Sequence, residues 1–515
     1  MQPEPDTVSA SRAGVLASLI ADRLCPRCYL ADARGDRTLS YQQLAQAAPA
    51  WAVAVESSGV RPGSCVLLDA EDPMAFAPAF LCLVAAGYQV VPVDPRAPAA
   101  DRARTVAATL PALIVTDRRR AGTLVAGLPR LLIDAGSGGP RPDPTAPDPT
   151  APEPAPARAA RTRQAASGAV RLATSGSTGE PKIVELDERR LLHVARAVAA
   201  HNRLTADDRG YNPLPLFHVN AQVVGLLSTL VAGCTLVLDR RFHRAGFWDL
   251  IDEQEITWIN AVPAILSILT RDGLPPRPRR LRLIRSASAA LPASVRDELT
   301  AAFGPIVVES YGMTEAASQI TATSLDLPSR RGSAGRAVGV ELQIRDETGR
   351  PAAPNVIGKV WIRGDGVIAG YLGGGATDRF DADGWLQTGD LAHLDADGFL
   401  YLAGRADDVI NRGGELIYPR EVEEVMVSDE RVLDVVVVGR PDAILGAVPV
   451  AYVIPCEPLR GDSSLVADLG ARCSEQLSRY KRPTEVLLVD DLPRTPTGKV
   501  RRHELSRNPV PAASR

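Results

Sequence analysis

Short apolar runs alternate with amphipathic stretches through the first quarter of the chain. Ser40 followed by Gln43 forms a capping-box pattern and predicts the start of a helix carrying Leu44, Trp51 and Val53. Beyond it, the pattern predicts buried strands at 65–69, 90–93 and 112–115, with helices at 74–86 and 99–110 between them. Strand and helix alternation at this spacing is typical of a parallel, doubly wound sheet.

The same alternation resumes after residue 182. Apolar runs predict strands at 235–238, 258–262, 281–284 and 306–309, and a helix at 222–232. Small and polar residues follow the last two strands, at 285–290 and 310–319. Because ligands bind beyond the carboxyl ends of strands in open α/β sheets, we expect both stretches to face a ligand.

The pattern changes to period-two alternation between residues 338 and 402. Hairpin signals at 346–349 and 395–398 predict a β-rich subdomain there. The fold class is therefore α/β: a large N-terminal domain at 1–406, with doubly wound sheets and the β-rich subdomain, and a small mobile α+β domain at 407–515. Residues 136–167, rich in Pro and Ala, predict a mobile insertion in the large domain.

The strongest chemical signal is the stretch Ala173-Thr174-Ser175-Gly176-Ser177-Thr178-Gly179-Glu180-Pro181-Lys182. A predicted strand precedes it and a helix capped by Asp187 follows it, so we expect a loop. Its glycines, hydroxyl groups and terminal lysine would offer backbone N–H donors and a cation to an anion such as a triphosphate. The spacing differs from GxxxxGK[ST], which disfavours a Walker-type NTPase. A flexible surface loop is the alternative interpretation.

Composition excludes several classes of protein. The chain has 515 residues, 45% of them hydrophobic and 23% charged, and a net charge of −3, which offers no general attraction to nucleic acid or anionic lipid. It begins with no signal-peptide pattern and has no apolar run of membrane-spanning length, so we expect a cytoplasmic protein. Cys25 and Cys28 have CxxC spacing, yet no second pair of ligands follows nearby. We therefore expect ordinary thiols rather than a zinc or redox site.

Five stretches, taken in order, give a family resemblance. Besides the loop at 173–182, they are 310–319, 384–390, 404–415 and 493–499. With these motifs the chain resembles the adenylate-forming (AMP-binding) superfamily, in its acyl-CoA synthetase and ligase branch, and oxalate–CoA ligases are the most similar pattern. The resemblance implies a ligase that uses ATP and Mg²⁺ to convert a small, polar or aromatic carboxylic acid into acyl-AMP, releasing pyrophosphate. The acyl group would then pass to CoA, without any nucleic-acid or membrane partner.

The resemblance also assigns roles to individual residues. The residues implied to bind ATP are Thr174, Ser175, Gly176, Ser177, Thr178, Gly179, Lys182, Ser288, Tyr311, Gly312, Met313, Asp390 and Arg405. Thr314 would contact the α-phosphate, and Glu315 would hold Mg²⁺. Lys499 would be the catalytic lysine that stabilises charge as the mixed anhydride forms.

A second half-reaction is implied in which the small domain rotates about Asp407. Rotation would bring Gly413 and Gly414 to a narrow pantetheine tunnel, where glycine allows close approach of the backbone. The acyl pocket implied by the resemblance is lined by His218, Val219, Asn220, Ser286, Ala287, Ser318 and Gln319. His218 stands where amino-acid-activating domains carry an aspartate, so an α-amino acid is not expected. His218 either contacts the acid or fills the empty pocket as an aromatic gate.

Two positions depart from the family pattern. Ile183 replaces a glycine after the loop lysine, and Ser318 replaces a histidine of the oxalate ligases, which argues against oxalate itself.

Three alternative functions stay open. The first function is an acid–CoA ligase, which the stretch 481–483 favours. The second is a stand-alone adenylating enzyme that loads a carrier protein's phosphopantetheine or another nucleophile. The third is a non-catalytic nucleotide-binding scaffold, against which Glu315, Asp390 and Lys499 argue.

Overall fold

The computed structural model describes residues 14–117, 128–134, 139–142, 167–174, 182–271, 273–326, 330–374, 377–456, 463–494 and 500–507. Within these ranges the chain forms four β-sheets, three before residue 406 and one after it. The expected α/β class is confirmed. None of the helices in the described ranges is both long and apolar enough to cross a membrane.

One large sheet follows the order β7-β6-β5-β3-β4-β8-β9. Its strands are β3 (Cys65–Asp69), β4 (Gln89–Pro92), β5 (Leu113–Thr116), β6 (Arg130–Ile133), β7 (Pro140–Pro142), β8 (Ala169–Thr174) and β9 (Lys182–Asp187). The inner pairs are parallel, and β7 and β9 close the two edges in antiparallel orientation. The predicted parallel sheet is therefore confirmed in this half of the domain.

The second large sheet follows the order β16-β15-β14-β13-β12-β10-β11-β1-β2. Its strands are β1 (Cys28–Asp32), β2 (Thr38–Ser40), β10 (Arg209–Asn212), β11 (Thr235–Leu238), β12 (Trp258–Ala261), β13 (Leu283–Ser286), β14 (Val307–Tyr311), β15 (Thr321–Ala322) and β16 (Arg336–Ala337). The strands from β14 to β1 run parallel, so their carboxyl ends meet at one edge of the sheet. That edge carries the stretches that the sequence predicts to face a ligand.

The helices of this large part pack on and between the two sheets. They are α1 (Val15–Asp22), α2 (Tyr41–Ser57), α3 (Pro73–Ala85), α4 (Ala99–Thr109), α5 (Glu188–His201), α6 (Ser228–Ala232), α7 (Phe247–Glu253), α8 (Pro263–Thr270) and α9 (Ala293–Phe303). Helix α3 is buried along nearly its whole length and contacts β1 of one sheet and β3 and β4 of the other. A helix that is apolar on every face is stable only when it is enclosed in this way.

Two smaller sheets follow along the chain. The first is antiparallel and contains β17 (Glu341–Arg345), β18 (Gly358–Arg363), β19 (Leu386–Leu394) and β20 (Leu400–Arg405), which confirms the predicted β-rich region. The second contains β21 (Ile410–Arg412), β22 (Glu415–Ile417), β23 (Val432–Asp442), β24 (Gly446–Pro455) and β25 (Glu485–Leu488), with helices α10 (Pro419–Val427), α11 (Ser463–Gln476) and α12 (Arg502–Arg507). One apolar core ends at Leu400, and separate cores begin at Ile410.

Local signals at helix starts are confirmed in atomic detail. The backbone N–H of Gln43 donates to Ser40 Oγ at 3.1 Å, and that of Ser40 donates to Gln43 Oε1 at 2.7 Å, which forms the predicted capping box of α2. Asp187 caps α5 by accepting a 2.9 Å hydrogen bond from the backbone N–H of Arg190. These caps satisfy donors that a helix start leaves unpaired.

One prediction about local structure is wrong, and the structure adds detail to three others. The phosphate-loop stretch leads into strand β9 and not directly into the helix, because Asp187 both ends the strand and caps α5. The predicted helix at 222–232 is confirmed, and it consists of a π-helix at Ala221–Leu227 followed by the short α6. In the predicted insertion at 136–167, residues Pro140–Pro142 form strand β7 and most of the rest lies outside the described residues, so its mobility stays a prediction. Leu44, Trp51 and Val53 lie on α2 as predicted, where Val53 is 62% exposed and Val55, one turn beyond Trp51, is buried.

Candidate active site

The ends of the predicted phosphate loop are held together as an antiparallel pair. Thr174 ends β8, Lys182 begins β9, and Thr174 Oγ1 donates a 3.3 Å hydrogen bond to the Lys182 carbonyl oxygen. Ser175, Gly176, Ser177, Thr178 and Gly179 lie outside the described residues. Residues 175–181, which connect the two paired strands, lie outside the described part of the chain.

Glu315 lies beside strand β9. It belongs to a 3₁₀ turn at Thr314–Ala316 and is 6% exposed. Tyr371 Oη donates a 2.8 Å hydrogen bond to Glu315 Oε1, and Lys182 Nζ lies 5.4 Å from the centroid of the Tyr371 ring. Tyr371 thus connects the lysine that ends the predicted phosphate loop with the carboxylate that is predicted to hold Mg²⁺.

Arg379 completes this cluster. Its Nη1 donates a 2.8 Å hydrogen bond to Tyr371 Oη and lies 3.9 Å from Glu315 Oε1. Its Nε and Nη2 donate to the Gln387 carbonyl oxygen on β19, at 2.9 and 2.6 Å. Burial and the neighbouring Glu315 raise the pKa of Tyr371 above its ordinary value, so its hydroxyl keeps the proton that it donates.

Backbone hydrogen bonds fix the same three segments relative to one another. The N–H of Leu372 donates to the Ile183 carbonyl oxygen at 2.9 Å, and the N–H of Ile368 donates to the Glu315 carbonyl oxygen at 2.9 Å. Ile183 is 5% exposed. The segment 368–372 therefore ties the start of β9 to the Thr314–Ala316 turn.

A second cluster joins the end of β14 to β19 and β20. Tyr311 Oη donates a 2.5 Å hydrogen bond to Asp390 Oδ2, and Arg405 Nη1 donates a 3.2 Å hydrogen bond to Asp390 Oδ1. Burial, followed by the charge of Asp390, raises the pKa of Tyr311 well above its ordinary value. The structure therefore brings together three of the residues that the sequence predicts to bind the nucleotide.

The backbone between these clusters is tightly folded. A Cβ on Gly312 would lie 1.5 Å from the Ser318 carbonyl oxygen, so only glycine fits there. Ala317 and Ser318 have positive φ angles of 49° and 98°, as does Ser288 with 77°. Non-glycine residues in this region carry strain, and such strain is frequent where a binding site fixes the backbone.

The predicted acyl-pocket residues come from three parts of the nine-stranded sheet. His218, Val219 and Asn220 follow β10, where the His218 ring packs against Phe217 with 4.5 Å between centroids. Ser286 ends β13, and Ala287 follows it directly. The remaining members, Ser318 and Gln319, follow β14, and Gln319 is 2% exposed. All of these positions lie at or just beyond the carboxyl ends of parallel strands, as expected for a ligand site.

The predicted hinge and tunnel residues lie where the chain enters the last sheet. Asp407 is the central, exposed residue of a 3₁₀ turn at Ala406–Asp408. Gly413 and Gly414 form the turn between β21 and β22 with φ angles of 61° and 95°, which the turn itself requires of glycine. Lys499 lies outside the described residues; on either side of it, Arg494 and Val500 form an antiparallel bridge.

The donor set fits a magnesium ion that is shared with substrate phosphates. Mg²⁺ prefers carboxylate oxygens and is commonly bound through one or two of them plus phosphate oxygens. Glu315 supplies such a carboxylate, and its Oε1 is oriented by Tyr371. Within the described residues, no group of three or more His, Cys, Asp or Glu side chains is placed to hold a metal ion. Cys25 and Cys28 are free thiols.

Sequence analysis missed three residues at this site. Tyr371 and Arg379 lie in a region of turns and have no local pattern that marks them. Arg285 did have a signal, because it is a charged residue at the end of the apolar run 281–284. The structure extends that strand through Ser286 and buries Arg285 completely.

Comparison with known proteins identifies the family. Residues 21–372 match the AMP-binding enzyme family, and residues 421–499 match the AMP-binding enzyme C-terminal domain. The chain is 40% identical over 340 residues to sulfoacetate–CoA ligase of Cupriavidus necator, an alignment covering 65% of this chain and 66% of that protein, slightly less than two thirds. It is 31% identical over 489 residues to indoleacetate–CoA ligase of Aromatoleum aromaticum, covering 91% and 93%.

A solved structure extends the similarity to the whole fold. The o-succinylbenzoate CoA synthetase of Bacillus subtilis, in complex with its acyl-adenylate intermediate, superposes with a TM-score of 0.82 at 26% identity. The superposition covers 97% of this chain and 99% of that chain. Since the family match alone spans residues 21–372, well over half of the 515, the chain belongs to the AMP-binding enzyme family.

Proposed function

We propose that this protein is an AMP-forming acid–CoA ligase that activates a carboxylic acid with ATP and transfers the acyl group to CoA. The observation that carries the proposal is the connection from Lys182 through Tyr371 to Glu315. A phosphate-binding lysine and a metal-binding carboxylate have to lie side by side for a triphosphate to bridge them. A nucleotide-binding scaffold without catalysis would not need Glu315 held in this way.

The first half-reaction joins two anions. A carboxylate oxygen of the acid forms a bond to the α-phosphorus of ATP, and the bond to the β-phosphate breaks to release pyrophosphate. Cations and N–H donors must offset the repulsion between the two anions. In our proposal the loop from Thr174 to Lys182 binds the β- and γ-phosphates, Thr314 contacts the α-phosphate, and Lys499 stabilises the charge that develops between acid and phosphate.

The nucleoside end is assigned to the second cluster. Asp390 accepts hydrogen bonds from Tyr311 and Arg405, and its carboxylate is suited to accept those of the two ribose hydroxyls in their place. The Tyr311 ring would then stack on adenine, with Gly312, Met313 and Ser288 close to the base. Mg²⁺, held by Glu315 and the phosphates, would neutralise the leaving pyrophosphate.

The second half-reaction transfers the acyl group to a thiol. The CoA sulfur, as thiolate, attacks the acyl carbon, and the bond to AMP breaks. We propose that the domain at 407–515 rotates about Asp407 between the two half-reactions, which withdraws Lys499 and presents Gly413 and Gly414 to the pantetheine arm. The separation of the apolar cores between Leu400 and Ile410 supports a boundary at this position.

For the acid, we propose a chemical class and not a single compound. The relatives named above are CoA ligases of sulfoacetate and indoleacetate, one small and polar and the other aromatic. Polar residues among the proposed pocket members, including Asn220, Ser286 and Gln319, favour a small or functionalised acid over a long fatty chain. Ser318 in place of the histidine of the oxalate ligases argues against oxalate.

A hydroxamate-trapping screen tests the proposal. The full chain is incubated with ATP, Mg²⁺ and a panel of carboxylic acids, with hydroxylamine in one series and CoA in the other. We expect acid-dependent pyrophosphate release in both series and an acyl-CoA product in the second. Acyl-AMP formation without acyl-CoA would favour a carrier protein or another nucleophile as acceptor. Absence of pyrophosphate release from every acid would refute the ligase assignment.

A further inference from the structure

A buried row of polar side chains crosses three neighbouring strands of the nine-stranded sheet. Asn212 ends β10, Asn260 lies on β12 and Arg285 lies beside it on β13, and all three are at most 1% exposed. Asn260 Nδ2 donates 2.9 Å hydrogen bonds to Asn212 Oδ1 and to Asn220 Oδ1. Side chains at matching register positions point to the same face of a sheet, and Asn220 is a proposed acyl-pocket residue. The row therefore adjoins that pocket.

Arg285 is a buried cation without an anionic partner among the described residues. Its Nη2 donates to Gln319 Oε1 at 2.6 Å and to Ser310 Oγ at 2.8 Å, and both acceptors are neutral. Its Nε and Nη1 have no hydrogen-bond partner in the described part of the chain. Burial lowers the pKa of Arg285 to about 9, which leaves the guanidinium charged at neutral pH.

Other arginines with low exposure have a carboxylate partner. Arg296 on α9 is 8% exposed and lies 2.7 Å from Glu309, and Arg282 forms a 2.8 Å ion pair with Asp208. Removing the partner of a buried charge is strongly destabilising, so folded proteins pair such charges. Arg285 is completely buried and has no anionic partner in the described chain. We therefore expect a ligand to supply the anion that pairs with it.

Gln319 adds another donor at the same place. Its side chain is 2% exposed, its Oε1 accepts from Arg285, and its Nε2 has no partner among the described residues. Two N–H groups of a guanidinium and one of an amide, all out of water, match an anionic group with two or three oxygens.

We propose that the acid carries a second anionic group, a carboxylate or a sulfonate remote from the reacting carboxylate, and that Arg285 and Gln319 bind it. This inference rests on the proposed ligase function and names its substrate class. An acid with an apolar tail would leave the charge of Arg285 unpaired. A site built to pair a buried polar group rejects analogues that lack the complementary group far more strongly than an apolar pocket does.

The test compares matched acids on the full chain by acid-dependent pyrophosphate release. Succinate and 3-sulfopropionate carry the second anion, whereas succinamate and butyrate are of similar size without it. We expect kcat/KM to be at least about 100-fold higher for the dianions. Arg285→Met should lower kcat/KM for the dianions by about 100-fold and change it less than about threefold for the neutral-tailed acids. Equal use of both kinds of acid by the unaltered chain, or equal losses in the variant, would overturn the inference.

Two further variants keep the test decisive. Arg296→Met removes a buried arginine that already has a carboxylate partner, so it should lower thermal stability without changing the preference for dianions. If Arg285→Met does not fold, Gln319→Met takes its place and should reduce the preference by about tenfold, the effect of one lost hydrogen bond to a charged group. Pyrophosphate release from neutral-tailed acids alone would refute this inference but leave the ligase function intact, whereas release from no acid would refute the ligase function.

Discussion

The hydroxyl of Tyr371 offers a sharp test of how Glu315 is held. Tyr371 Oη donates a 2.8 Å hydrogen bond to Glu315 Oε1 and accepts one of 2.8 Å from Arg379 Nη1. Tyr371→Phe removes both hydrogen bonds and keeps the ring over which Lys182 lies. The change therefore isolates the orientation of the proposed magnesium ligand from the packing of its surroundings.

The size of the effect follows from the bonds that are lost. A hydrogen bond to a charged group contributes about 1.5–3 kcal/mol, and a loss of about 2 kcal/mol lowers a rate constant about 30-fold. Groups that orient a metal ligand typically change metal affinity by about 10- to 100-fold. We therefore expect Tyr371→Phe to lower kcat/KM for acyl-AMP formation about 30-fold at limiting Mg²⁺, with partial recovery at high Mg²⁺.

The assay is pyrophosphate release measured across a magnesium titration. Tyr401→Phe is the matched control, because its hydroxyl lies 3.4 Å from Asp395 Oδ2 in the β19–β20 hairpin and contacts no proposed site residue. The control should show the magnesium dependence of the unaltered chain. An unchanged magnesium dependence and a kcat/KM within about threefold of normal in Tyr371→Phe would refute the reasoning, since losing two charged hydrogen bonds should cost more than that.

Three other changes test the rest of the account. Lys499→Met should slow acyl-AMP formation by about 100- to 1,000-fold, because it removes a donor to developing charge; a single-turnover rate close to normal would contradict its catalytic role. Asp407→Pro fixes φ in the Ala406–Asp408 turn and should spare acyl-AMP formation while abolishing thioester formation; equal loss of both half-reactions would argue against rotation at this hinge. Hydrogen bonding by Arg431 lowers the pKa of Asp429 from 3.8 to about 2, so its contribution is complete well above pH 3.8 and disappears as the pH falls toward 2. Asp429→Asn should thus destabilise the chain by about 1 kcal/mol at pH 7, a small value because Arg431 is partly exposed, and by progressively less below pH 4 in thermal unfolding; a pH-independent loss would contradict the assignment.

The elements that the sequence predicted well are those whose signals are local. The Ser40 and Gln43 capping box depends on residues three apart, and the hairpin at 395–398 depends on a four-residue turn. Strand Cys65–Asp69 is apolar up to its final residue because both faces of a parallel sheet are covered. These features need no knowledge of distant residues.

The differences between prediction and structure have two causes: tertiary packing, and single residues that belong to two elements at once. Asp187 marks a helix start so clearly that it conceals β9, the strand that it also ends. All residues of the π-helix at Ala221–Leu227 are buried, and the sequence predicts a helix there without showing whether it is an α-helix or a π-helix. The helix signal at Ser40 and Gln43 does not show which face of α2 is buried; Trp51 and Val55 lie one turn apart on that face, and Val53 is exposed.

The residues of the candidate site also fall into two groups: those with a local sequence motif and those that only tertiary structure reveals. Motif residues such as Tyr311, Glu315 and Asp390 were identified from the sequence, and their clustering is visible in the structure. Tyr371 was not identified, because it reaches Glu315 across 56 positions of the chain and has no motif of its own. Arg285 was placed after a strand, where an arginine is ordinarily solvated, and only the extended strand reveals it as buried.

Exchange of labelled pyrophosphate into ATP, measured without CoA, tests the central claim most directly, because it reports reversible formation of acyl-AMP alone. The account predicts exchange that depends on both the acid and Mg²⁺ and that is lost in Glu315→Gln, which keeps the side chain's size but removes the charge of the proposed metal ligand. Exchange that persists at the normal rate in that variant, or that proceeds without any acid, would contradict the proposal that these residues form one adenylating site.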